Sequence, residues 1–291
     1  MTVPTPDEPG PAGAQRTTDQ PGPDPTDDQP RPAPASGSRF GRWWRLSRAL
    51  DAAVAGGYLL AAVAVTANLW RPDRMVPMRG DQILFEWMLA RAARAVVHLE
   101  NPLYSDQLNA PGGVNLMANT SVLGLGLPLT PVTLLFGSRA AFVVAVVGCL
   151  AGTATAWYLL LSRCLVRSRT GAAIGGAFCG FAPGMISQAG GHLHMIAQFL
   201  VPAICWAAFS DGTSVRPRRG VLLGVLVTAQ VFLGEEVLLF LVLAAGVFTV
   251  AYAVADRLAA RRRAVPLAGR LAVGAVTAAV PLAYPLWFQF F

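Results

Sequence analysis

Residues 220–255 read GVLLGVLVTAQVFLGEEVLLFLVLAAGVFTVAYAVA, an apolar run whose only charged residues are the adjacent pair Glu235 and Glu236. Crossing a hydrocarbon core of ~30 Å takes about 20 apolar residues in a helix. The run is therefore long for one span and supplies two short ones. A single helix would carry the Arg257, Arg261, Arg262 and Arg263 cluster to the opposite side from the other basic loops. A hairpin with its tip at Gly234-Glu235-Glu236 keeps all of them together. The remaining loops agree: Arg163, Arg167 and Arg169 form one, and Arg216, Arg218 and Arg219 another. Cytoplasmic loops are the ones enriched in basic residues, so the N-terminus and these three clusters are placed inside.

From there the topology extends both ways. The first span is predicted at about 50–70, and later ones at about 139–162, 171–190, 195–210, 220–234, 237–255 and 271–289, about seven in all. Residues 71–138 form a long extracytoplasmic connection, with an interrupted apolar stretch at 122–136. The chain stops at Trp287-Phe288-Gln289-Phe290-Phe291, just as a span reaches the outer surface. That reads as the front portion of a longer protein.

Composition fits this class. Hydrophobic residues make up 54% and charged ones 13%, well under the ~25% charge of soluble domains. Arginine accounts for every basic residue except histidine, which reads as the codon bias of a GC-rich, bacterial genome and not as a nucleic-acid signature. Cys149, Cys164, Cys179 and Cys205 lack CxxC spacing and are taken as small buried hydrophobes. Residues 1–38 hold ten prolines and almost no large apolar side chains. Such a segment cannot offset its ordering entropy, and a disordered cytoplasmic tail is expected. Residues 39–291 follow as the membrane domain, opened by an interfacial anchor of Arg42, Trp43, Trp44, Arg45 and Arg48. The fold class is an all-α polytopic helical bundle.

With this topology Asp81, Glu86, Asn101, Asp106, Asn115, His192, His194, Glu235, Glu236 and Gln289 all face one compartment, the outer one. A transport route would want polar groups at mid-depth; an enzyme acting at the outer surface gathers them there. Residues 80–99 carry Ile83, Leu84, Trp87, Met88, Ala95, Val96 and Leu99 in an approximate helical stripe, which predicts a helix lying in the outer interface. Asp81 then sits at the positive end of its dipole, as a cap, a catalytic carboxylate or both. Glu86 lies roughly 140° further round and reads as a solvated interfacial residue. The loop groups Asn101-Pro102 and Pro111-Gly112-Gly113-Val114-Asn115 offer turns and hydrogen-bonding edges. In Gly191-His192-Leu193-His194 the two histidines would give a divalent metal two ligands, and no third is evident. No cofactor is otherwise implied. Walker, Rossmann and GxSxG patterns are absent, which argues against ATP-driven, nicotinamide and serine-hydrolase chemistry.

One span, then Gly80-Asp81-Gln82 with Phe85-Glu86-Trp87 opening a large outer loop, then Asn101-Pro102, Pro111-Gly112-Gly113-Val114-Asn115-Leu116 and Gly191-His192, resembles the GT-C superfamily of integral-membrane glycosyltransferases. The likeness covers about residues 50–290 and lies in the order of the motifs. Many members carry two adjacent acids where this chain has Asp81-Gln82. The resemblance implies a polyprenyl-phosphate sugar donor held in the bilayer and a glycan, lipid or protein acceptor. It implies Asp81 as general base and Arg79 and His192 at the departing phosphate. Glu86, Asn101, Asn115, His194, Glu235 and Glu236 complete the expected substrate-binding set. The rival readings are a transporter or lipid flippase, lining a cavity with Glu235, Glu236 and the histidines, and a non-catalytic membrane scaffold.

Overall fold

The computed structural model describes residues 37–70, 79–118, 120–209 and 216–290, and of 37–47, 79 and 80 the backbone alone. Most of the proline-rich tail, residues 71–78 and the Arg79 side chain thus lie outside the described residues. Up to Trp44 the chain forms one unit, of which only the opening turns of the first helix are described; from Arg45 onward it packs as a second unit.

The protein is an all-α membrane protein. Helix α1 (Gly37–Val65) is followed by a 3-10 turn at Ala67–Trp70 and by α2 (Arg79–His98). A small antiparallel ribbon comes next, β1 (Tyr104–Ser105) with β2 (Val114–Asn115), pairing Tyr104 with Asn115. Short helices α3 (Leu123–Gly126) and α4 (Thr130–Phe136) lead into the long α5 (Ser138–Leu160), which ends in a π-helical turn. Then follow α6 (Arg169–Phe181), α7 (Pro183–Gln188), α8 (Leu193–Ile196), α9 (Val201–Phe209), α10 (Pro217–Ala255) and α11 (Arg257–Phe290). Among the described residues, four helical segments are long and apolar enough to cross a membrane: 48–65, 138–165, 217–255 and 257–290.

Helix α5 is the axis of the bundle. Phe142, Val146, Leu150, Ala154 and Tyr158 are buried along it and meet Tyr58, Phe85, Leu89, Leu193 and Ile196 in one core. Lipid is as apolar as leucine, so helices in a membrane associate through close packing instead of hydrophobic exclusion. Gly176 and Gly180 of α6 provide that here: a Cβ at Gly176 would lie 2.7 Å from the Ala154 carbonyl oxygen, and one at Gly180 2.8 Å from that of Leu150. Polar ties close the same end of the bundle. Tyr158 donates to Asp51 at 2.7 Å, Arg169 donates to it at 2.9 Å, and Arg163 lies 3.4 Å away.

Helix α10 turns back on itself at Gly234, whose φ/ψ leave the helical region. Arg219 stacks on Trp206, and Phe248 packs edge-on against Phe209. Trp206 and Phe209 are one turn apart, whereas positions 219 and 248 of a straight helix would be separated by roughly 43 Å. The run is thus two antiparallel limbs, and the reversal falls where the sequence places a hairpin tip. The second half of α11 runs beside the first limb, from the Gly220–Val273 contact to the pair Gln289–Glu235.

Two expectations are corrected. The segment 171–190 is not one helix: it breaks at Ala182, where Pro183 lacks the N–H that continuation needs. Residues 195–210 divide likewise into the end of α8 and α9, with Pro202 at the start of the latter. On α2, Gln82, Phe85, Met88, Leu89, Ala92 and Ala95 are buried, so Met88 and Ala95 of the predicted stripe face protein while its Ile83, Val96 and Leu99 are exposed. All four cysteines are free, and Cys164 is exposed.

Candidate functional site

The site begins with Asp81 in the first turn of α2. After α7 the chain makes a tight turn in which the His192 N–H donates to the Gln188 carbonyl at 2.8 Å. That turn brings Gly191 against Asp81, so close that a Cβ there would be in van der Waals contact with the Asp81 Cβ at 3.4 Å. His192 Nε2 consequently lies 3.4 Å from Asp81 Oδ2, with the carboxylate 62% and the imidazole 43% exposed.

His194 follows in α8 and points inward. Its ring stacks on Phe85 of α2 with centroids 5.3 Å apart and meets His192 edge-on at 6.0 Å. Its Nε2 lies 3.4 Å from Glu236 Oε2 at the hairpin tip. The side chain is only 9% exposed, and Nδ1 has no hydrogen-bond partner among the described residues. Burial pushes this imidazole below its ordinary value of 6.5, with Glu236 opposing the shift. Gly234 makes the tip fit: a Cβ there would stand 2.9 Å from the His194 carbonyl oxygen.

Asp81, His192, His194 and Glu236 line one cavity of about 380 Å³, together with Phe85, Thr120 and Gln188. Beside it lies a second cavity of about 550 Å³, walled by apolar side chains including Leu127, Phe199, Phe232 and Leu233, with Asn101 and Tyr284 at its edge. The hairpin tip separates them: Leu233 lines the apolar cavity and Glu236 the polar one. Among the described residues, no three His, Cys, Asp or Glu side chains converge as a metal site.

The other predicted site residues are placed elsewhere. Glu86 accepts a hydrogen bond from Gln82 at 2.7 Å on α2 and does not line the polar cavity. Asn101 accepts from the Leu103 N–H at 2.9 Å and donates to Tyr284 at 3.3 Å. Asn115 accepts from the Met117 N–H at 2.9 Å and donates to the Phe288 carbonyl, so both asparagines shape the loop between α2 and α3 and fasten it to α11. Glu235 accepts from Gln289 at 3.1 Å, facing away from its neighbour Glu236.

Sequence reasoning missed Arg91, which anchors the loop. It is buried and pairs with Glu100 while donating to the Asn101 and Tyr104 carbonyls at 3.2 and 3.1 Å. Although desolvation opposes it, hydrogen bonds from Arg91 and Arg94 hold the Glu100 carboxyl below its usual range. The one available signal was an arginine followed by an acid just before Asn101-Pro102. Phe85, quoted only as part of the Phe85-Glu86-Trp87 motif, and Gln188 were not placed at the site, since an aromatic on an apolar helix and a glutamine at a helix end carry no signal of their own.

No protein-family model, curated protein or solved structure matches the chain.

Proposed function

We propose that the protein is a membrane glycosyltransferase that transfers a sugar from a polyprenyl-phosphate donor to an acceptor outside the cytoplasm of a bacterial cell. The observation that carries this reading is the pairing of two unlike cavities across one hairpin tip. An amphiphile with a polar head and a long apolar chain matches that pair: its head fits beside Asp81 and the histidines, and its chain fits the apolar space. In this reading the N-terminus is cytoplasmic, the site opens outward, and α2 with its exposed Ile83, Val96 and Leu99 lies at the outer interface.

The chemistry needs one base and one stabilised leaving group. An acceptor hydroxyl attacks the anomeric carbon, its proton passes to the Asp81 carboxylate, and the bond from that carbon to the phosphate oxygen breaks. The electron pair leaves with polyprenyl phosphate. General-base transfer requires the hydroxyl within about 2.6–3.2 Å of the carboxylate, and the exposure of Asp81 leaves room for an acceptor to reach it. His192 and His194 stand where N–H donors can meet the departing phosphate.

The test is transfer from a panel of labelled polyprenyl-phosphate sugars in membranes holding the intact gene product, with wild type, Asp81→Asn and His192→Gln at equal expression. Transfer by wild type that disappears with Asp81→Asn supports the reading. Equal transfer by both would move the base elsewhere, and silence across a broad donor panel would turn the assignment toward transport.

A further inference from the structure

We infer that Gln230 is a positioning residue, holding the His194–Glu236 pair in place beneath the polar cavity. A glutamine within GVLLGVLVTAQVFLG is out of character for a membrane span, where polar side chains are costly and are retained for a reason. Gln230 is completely buried. Its amide nitrogen donates to the Ala197 carbonyl at 3.1 Å and approaches the Gly234 carbonyl at 3.4 Å. Those acceptors belong to two different breaks in the fold. Ala197 ends α8, the turn that carries His194, and Gly234 is the reversal that delivers Glu236.

Both breaks take backbone carbonyls out of regular helical pairing inside a membrane protein, where such groups must be satisfied internally. One side chain serves both. On the far side of α8, Thr153 of α5, also completely buried, donates to the Ile196 carbonyl at 3.4 Å. The turn that carries His194 is therefore held at the Ile196 and Ala197 carbonyls by Thr153 and Gln230, while the His194 ring is held by Phe85 and faces Glu236. Leucine at 230 would fill the space without tying the two breaks together. Glutamate there, held protonated by burial, would still offer one O–H to Ala197.

The chain has three histidines, His98, His192 and His194, so an imidazole spectrum contains few signals. The experiment is NMR of the full-length, ¹⁵N-histidine-labelled protein in lipid nanodiscs, with His194 assigned by His194→Gln. Glu236→Gln gives the shift that follows direct loss of the pair. Gln230→Leu should move the His194 signals in the same direction and leave His98 unmoved, while Gln230→Glu should stay near wild type. A folded Gln230→Leu protein whose His194 signals match wild type, while Glu236→Gln moves them, would overturn the inference. If Gln230→Leu does not insert, Thr153→Val takes its place, with the same expected shift and the same contrary outcome. The link to catalysis rests on the proposed glycosyl transfer: Gln230→Leu should then lower kcat roughly 10- to 100-fold, the cost of a small misplacement at a reacting site. Absence of transfer in wild type would remove that reading and leave the spectroscopic comparison standing.

Discussion

Asp51 and Asp81 are both aspartates on helices of the same bundle, and their surroundings differ in kind. Asp51 is 17% exposed and receives Tyr158, Arg169 and Arg163 from two neighbouring segments. Asp81 is 62% exposed and faces a single imidazole across the mouth of a cavity. A carboxylate ringed by three donors and largely closed off from solvent offers little approach to a reactant and acts as a fastener. One that is held on one side and open on the other can take up a proton from a substrate. The difference separates holding from reacting more clearly than residue type does.

That contrast breaks most easily at Asp81. Asp81→Asn should lower sugar transfer by about 10²- to 10⁴-fold, the range for loss of a general base, with an unchanged melting temperature in detergent. Asp51→Ala should do the reverse. It leaves the buried Tyr158 hydroxyl without its acceptor, at a cost of about 1–3 kcal/mol, and leaves transfer per folded molecule as it was; a thermal melt beside an activity assay checks both. Gly234→Ala belongs between the two classes. The methyl group meets the His194 carbonyl, so a loss of about 1–3 kcal/mol is expected, together with displaced His194 signals.

A smaller effect concerns pH. The folded His194 imidazole titrates below its unfolded value of 6.5. Between the two values the unfolded chain binds more protons, so stability is full above pH 6.5 and declines as pH falls through the folded value. His194→Gln should flatten that decline in a pH series of melts; an equal slope in wild type and variant would mean that another group sets it. Smallest of all, Glu86→Ala should change stability by under about 0.5 kcal/mol and leave transfer untouched, since its partner is Gln82 and not the cavity. A large loss of transfer there would put Glu86 back among the reacting groups.

How much of this was legible depended on whether the signal was local. The reversal at Gly234 could be read because charge placement on one side of the membrane constrains where a chain must turn. Asp81 and His192 could be singled out because the predicted topology puts them on one side, though it did not give their 3.4 Å approach. The breaks at Ala182 and Ala197 were hidden inside apolar runs: hydropathy measures length, and it does not distinguish a continuous span from short helices buried by protein. The apolar positions of α2 could not be divided between protein and surroundings for a related reason, because lipid and protein interior both accept Phe85 and Ile83. Partner choice was the least legible feature. Glu235 and Glu236 are neighbours in sequence, yet one accepts from Gln289 and the other faces His194, a division set entirely by distant helices.

The central claim is that the open carboxylate reacts while the enclosed one holds. It is tested most directly by one transfer assay on membranes carrying wild type, Asp81→Asn or Asp51→Ala, each normalised to folded protein. The account predicts transfer by wild type and by Asp51→Ala, and none above background by Asp81→Asn. Transfer that survives Asp81→Asn and is lost with Asp51→Ala would contradict it.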